Sequence, residues 1–150
     1  MAYSVQKTKW SQNNPTERVK TNEFAGRVRI AYATYEASAE QSTIEMFNLP
    51  NGARIIRGYL GHDALGSSTT LSVGYAAHTT SAGASVALDV DEYKAAAAST
   101  ADAVTALPAT MALGAFSELD ADATGVPITV TLAGANGTGT ISLAMEYVTD

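Results

Sequence analysis

The chain has 150 residues, 46% of them hydrophobic, with 9 basic and 15 acidic side chains and a net charge of −6. That length suits one domain with a real core, and the absence of cysteine excludes a disulfide framework, thiolate chemistry and any sulfur-ligated metal. No run approaches the roughly 20 apolar residues of a membrane-crossing helix, and the opening MAYSVQKTKW lacks the apolar segment of a signal peptide, so a soluble protein made and used without the secretory pathway is expected.

Residues 1–21 are polar and hold no sustained period, which predicts an extended N-terminal arm with Trp10 as its one large anchor. Residues 22–150 are expected to form a single domain. In GRVRIAYATY, Val28, Ile30, Tyr32 and Thr34 share one face of a strand while Arg27, Arg29, Ala31 and Ala33 share the other. Tyr32, together with Tyr75 and Tyr147, is assigned to a buried face. Further strands are expected in STIEMFN and, after the turn signal Pro50–Gly52, in ARIIRGYLG.

TTLSVGYAA alternates Leu71, Val73 and Tyr75 with Thr70, Ser72 and Gly74. SVALDVDEY repeats the pattern, with Val86, Leu88 and Val90 expected inside and Ala87, Asp89 and Asp91 outside. A helix is predicted over about 91–106, where Asp89 or Asp91 caps the strong helix formers of EYKAAAASTADAV. ATMALGAF reads as one more strand and SELDADATG as a loop. The closing stretch TLAGANGTGTISL places Asn136 and Gly137 where a type I′ turn would reverse the chain. That hairpin would pair Leu132 with Ile141, Val130 with Leu143, Ile128 with Met145 and Val126 with Tyr147, an apolar pair at every step.

Seven or eight short strands at intervals near ten residues predict a mainly β fold, an antiparallel β-sandwich of jelly-roll or Greek-key type with one short helix and an extended N-terminal arm.

Charge is divided unevenly. Eight basic and five acidic residues in positions 1–57 give +3, whereas Lys94 against ten acids in 58–150 gives −9. This split suggests docking of the basic arm and first strands on an acidic surface, the other end of an identical subunit or a larger partner; the alternative, which carries more weight, is a chance distribution whose exposed charges reach only roughly 8 to 10 Å through screening. Nucleic acid is disfavoured by the acidic total, and Trp10 is the only aromatic among the arm's basic residues.

No reactive constellation emerges. His62 adjoins Asp63, but neighbours in a strand point to opposite faces and no GxSxG nucleophile accompanies them, so a loop-end histidine is the better reading. DADATG, Asp120–Gly125, opens like a calcium loop but would place Thr131 where a bidentate Glu is required, which favours a solvated turn. The acids of DVDEY are explained by helix capping. GxxxxGK[ST], GxGxxG and HExxH are all absent. The expectation is no enzyme, no cofactor and no metal site.

STTLSVGY (Ser68–Tyr75) and the terminal TGTISLAMEYV (Thr138–Val148), taken with the acidic-apolar strand between them, resemble small virion proteins of tailed bacteriophages over the last two-thirds of the chain. The resemblance implies a capsid-associated, jelly-roll-like protein without catalytic residues that decorates or cements the shell as an oligomer, with the major capsid protein as partner. It implies location in the virion, assembled in the host cytoplasm, with self-association as a trimer or dimer and neither nucleic acid nor membrane as partner. Trp10, Arg18, Lys20, Arg27 and Arg29 are the candidate contact residues. Rival readings are a connector or tail protein, and a carbohydrate-binding sandwich presenting Tyr3, Trp10, Tyr35, Tyr59 or Tyr93 for stacking.

Overall fold

Two long strands organise the molecule: β1, Val28–Leu49, of 22 residues, and β8, Val126–Val148, of 23. A computed structural model of the chain describes residues 4–11, 19–20, 23, 26–108 and 114–149, the side chains of Trp10 and Ser11 excepted. β1 and β8 pair antiparallel from Val28↔Val148 to Leu49↔Val126. The second edge of β8 is shared. β3 (Thr70–Tyr75) takes the part from Ala133 back to Ile128, and β2 (Arg54–His62) takes the part from Ile141 to Val148. β6 (Asp89–Ala98) lies outside β3, and β7 (Ala103–Leu107) outside β2, completing a six-stranded antiparallel sheet. β4 (His78–Thr79) and β5 (Ser85–Val86) form a small second sheet.

Among the described residues the fold is thus mainly β and antiparallel with one short helix, but in place of the two stacked sheets of a jelly roll it has one curled main sheet beside the small one. The expected hairpin does not form. Asn136 and Gly137 lie within β8, and neither has the positive φ that a type I′ turn requires. The apolar face is nevertheless the expected one: Val126, Ile128, Val130, Leu132, Ile141, Leu143 and Met145 are all buried in one core. Leu132 and Ile141 have opposite parity, so the strand must lose a step between them. It does so where Gly134 and Gly139 adopt φ of 84° and 128° and the β1 register shifts on either side of Glu40. A Cβ at Gly134 would collide with the Ser68 carbonyl oxygen. On the inner face Leu132 packs over Gly137.

The helix predicted over 91–106 is also overturned, because those residues lie largely in β6 and β7. Alanine favours helix by only tenths of a kcal/mol per residue, and a helix with an alanine face would bury little. As a strand, β6 pairs its backbone with β3 and buries Tyr93 and Lys94. Gly74 admits this pairing, since a Cβ there would strike the Asp89 carbonyl. The Lys94 ammonium donates to the carbonyls of Leu71 (3.0 Å) and Ala95 (3.3 Å), and burial lowers its pKa. Leu88, expected inside, is exposed just ahead of β6.

The short helix is α1, Val5–Ser11, inside the stretch expected to be extended. Ser4 caps it through Oγ, which accepts the Lys7 N–H at 3.1 Å. ATMALGAF falls mostly outside the described residues, and Gly114, Ala115 and Phe116 form a turn.

Candidate interaction surface

The regular part of β1 shows which face is which. Ala31 stands opposite Met145, Ala33 opposite Leu143 and Tyr35 opposite Ile141, so small alanines on β1 leave room for large buried side chains on β8. The alternate residues turn outward. Val28 is 53% exposed, Ile30 66% and Tyr32 65%, which corrects the assignment of Tyr32 to a buried face. The period of two was legible, but both faces of this strand are apolar, and only its neighbours decide which is covered.

Register carries these residues into rows across the outer face. Tyr32, Ala144, Tyr59 and Ala106 form one row over four strands, with Thr34, Ser142, Gly61 and Val104 beside it. Tyr59 is 44% exposed and Val104 75%. The small residues between them keep the floor low. In the next row Arg57 Nε donates to Glu146 at 2.8 Å, and that bond chiefly raises the Arg57 pKa. Three exposed aliphatic side chains and two tyrosines therefore share one sheet face, an arrangement that marks an interaction surface. The sequence signal that could have found it is the run of alanines at alternate positions on β1.

The candidate contact residues are distributed differently. Arg18 lies outside the described residues, and Trp10 sits on α1. Arg27 is exposed just before β1, and Arg29 is exposed on its inner face opposite Tyr147. Lys20 bonds within its own chain: its ammonium meets Glu118 at 2.6 Å, and Glu118 also holds Arg54 at 2.7 Å. Arg54 donates in turn to the Phe116 carbonyl at 2.6 Å. Lys9 pairs with Glu23 at 3.1 Å, whose carboxyl is held low first by the Lys20 N–H. Two of the arm's lysines thus meet carboxylates of their own chain.

The histidines and the loop carboxylates stand apart. His62 Nδ1 shares a hydrogen bond with the Asp63 backbone carbonyl at 2.9 Å, while the Asp63 carboxylate accepts the Thr140 N–H at 2.9 Å; that bond lowers the Asp63 pKa. His78 lies on the small sheet, its Nδ1 3.1 Å from the Ala76 carbonyl and its ring edge-on to Tyr75. Asp120 accepts the Ser81 N–H at 2.9 Å and Asp122 the Thr124 N–H at 2.8 Å, so both carboxylates brace loops. Among the described residues no group of three His, Asp or Glu is placed to hold a metal ion. Of the aromatics considered for sugar stacking, Tyr93 is buried, and Tyr35 is half-buried and donates to Glu40, which raises its pKa. Tyr59 is exposed, and Tyr3 lies outside the described residues.

No protein-family model and no curated protein matches the chain. Among solved structures, the fold is similar to a chain in the capsid of Ralstonia phage GP4, with a TM-score of 0.62 and 24% identity over 83% of this chain and 86% of that one. It is similar as well to a chain in the capsid asymmetric unit of cyanophage Pam1, with a TM-score of 0.62 and 17% identity over 93% of this chain and 99% of that one. What is shared at these identities is the fold. The shares covered are alike on both sides, so each of those chains is close to this one in length.

Proposed function

We propose that the protein is a structural component of a phage virion, a non-enzymatic β protein that binds the outer surface of the capsid as a decoration or cement protein. The observation that carries this reading is the likeness of nearly the whole chain to chains of similar length in two phage capsid structures. A broad outer face with exposed aliphatic and tyrosine side chains suits a protein that works by contact. In this reading the major capsid protein is the partner, the chain self-associates as a trimer or dimer, and its place is the virion assembled in the host cytoplasm. Residues 1–21 act as an arm on the domain formed by 22–150, and Trp10, Arg18, Lys20, Arg27 and Arg29 contribute to contact. Many weak contacts repeated over a shell add up through avidity.

The test is co-assembly with the capsid protein and measurement of occupancy per particle. A decoration protein is recovered in copy numbers that scale with the shell, whereas a connector or tail protein is recovered in about a dozen copies, as one vertex requires. Deleting residues 1–20 is expected to lower occupancy, and unchanged occupancy removes the arm from the mechanism.

One observation favours a second reading. Tyr32 and Tyr59 stand in one row, separated by Ala144, and exposed rings over a low floor suit stacking on sugars. A glycan array with wild type and Tyr59→Ala tests it, and binding lost in the variant would favour a carbohydrate-binding module.

A further inference from the structure

We propose that the free edge of β1 over Val28–Ser38 is the seat of a second copy of this chain, whose own strand continues the sheet. This names the surface behind the self-association in the reading above and rests on that part of it, while shell binding stands or falls separately.

An edge strand aims alternate N–H and C=O groups away from its sheet, and only another strand or water satisfies them. Among the described residues β1 pairs with β8 alone. Edges that stay solvated are blunted by charged side chains, lysine above all, by proline or by bulges, and here the charges are Arg29 and Glu36 alone. VRIAYATYEAS has neither lysine nor proline, and its register with β8 is unbroken from Val28 to Ser38. The rest of β1 differs. Its register shifts around Glu40 and again between Glu45 and Phe47, and Ala39 is turned to a φ of 61°. One half of the same edge is thus protected against pairing and the other is left open, with its exposed apolar ridge.

The partner is argued from complementarity. Set antiparallel to itself about Ile30, the strand places Ile30 against the partner's Ile30 and Val28 against the partner's Tyr32. The outward pairs that fall within β1 are then β-branched or aromatic, the kind that stabilises neighbouring strands, and the paired span is Val28–Tyr32. On the other face Arg29 meets the partner's Ala31, small enough to let the guanidinium reach water. Centring on Tyr32 instead would set Val28 against the partner's Glu36. The chain carries a second matching edge: β7, at the far side of the same half-sheet, runs in the sense that antiparallel pairing with β1 requires and exposes Val104. Copies joined across a two-fold form dimers, and copies joined head to tail form rings when the rotation between them closes. Both junctions bury β1.

Sedimentation of the full chain over a dilution series tests this. Wild type is expected as a dimer or a closed ring, and Ile30→Lys is expected to associate at least about ten-fold more weakly, since a lysine on the edge must be desolvated by the incoming strand. Tyr59→Lys lies on the same face but on an interior strand, and is expected to keep the wild-type mass. Hydrogen exchange at residues 28–32 is expected to slow as concentration rises. If Ile30→Lys does not fold, Tyr32→Lys on the same edge replaces it, since its ring is also exposed. A wild type that stays monomeric, an Ile30→Lys variant with wild-type mass, or a Tyr59→Lys variant that dissociates equally would each overturn the proposal. Loss of particle occupancy with the oligomer intact would count against shell binding alone.

Discussion

Leu132 and Ile141 lie on the same strand, are separated by an odd number of positions, and both point into one core. A regular strand would send them to opposite faces. The segment between them therefore has to absorb one residue of phase, and it does so at glycines with positive φ, where the pairing with β1 breaks off at Leu132 and resumes at Gly137.

Gly134→Ala tests that hinge. Its φ of 84° disfavours any side chain, and the added Cβ would meet the Ser68 carbonyl. The expected loss is about 2 to 4 kcal/mol, read from urea unfolding, with backbone strain of roughly 1 to 3 kcal/mol and the collision adding to it. Gly83→Ala is the control, because its φ is also 84° but nothing lies within 4 Å of the new atom; it is expected to cost only about 1 to 2 kcal/mol.

The inside and outside of β1 are tested by a pair of substitutions in neighbouring strands. Leu143→Ala should cost about 2 to 5 kcal/mol, as other buried leucines do, because Leu143 is fully buried. Tyr32→Ala should stay within about 0.5 kcal/mol, measured on the dissociated monomer, because its ring is exposed. Comparable losses at both sites would overturn the assignment of faces.

Glu118 holds Lys20 on one side and Arg54 on the other. Glu118→Gln should release Lys20 and speed tryptic cleavage after it several-fold, while the melting temperature falls by only a few degrees, since exposed ion pairs contribute about 0.2 to 1 kcal/mol. Unchanged cleavage would show that this carboxylate does not hold the arm.

Acid should weaken the fold below about pH 4. The carboxyls of Asp63, Asp120 and Asp122 are held below their ordinary 3.8 chiefly by hydrogen bonds from Thr140, Ser81 and Thr124 respectively. A depressed folded pKa means that the unfolded chain binds more protons in this window, so their contribution is fully present above 3.8 and is lost as pH falls through the folded values. Melting temperatures at pH 7 and pH 3 check this. In Asp63→Asn the difference between them should shrink, and an unchanged difference would remove Asp63 from the acid response.

Much of the strand content was legible in the residues. Runs such as Leu71, Val73 and Tyr75, or Val126 to Leu132, alternate because a strand sends successive side chains to opposite faces. The exposed ridge of Val28, Ile30 and Tyr32 was not, since alternation identifies two faces without saying which one a neighbour covers. Nor was the extended state of EYKAAAAS, where local preference points to helix and pairing with β3 outweighs it.

By itself, the order of residues determined that the closing stretch would hold two apolar runs of opposite phase around Asn136 and Gly137. Phase opposition has two solutions, a reversal or a bulged bend, and nothing local separates them. The tertiary structure chose the bend because a through-going β8 pairs with β1 on both sides of the bend along one edge and with β3 and β2 along the other. A reversed hairpin would have given up most of those backbone partners.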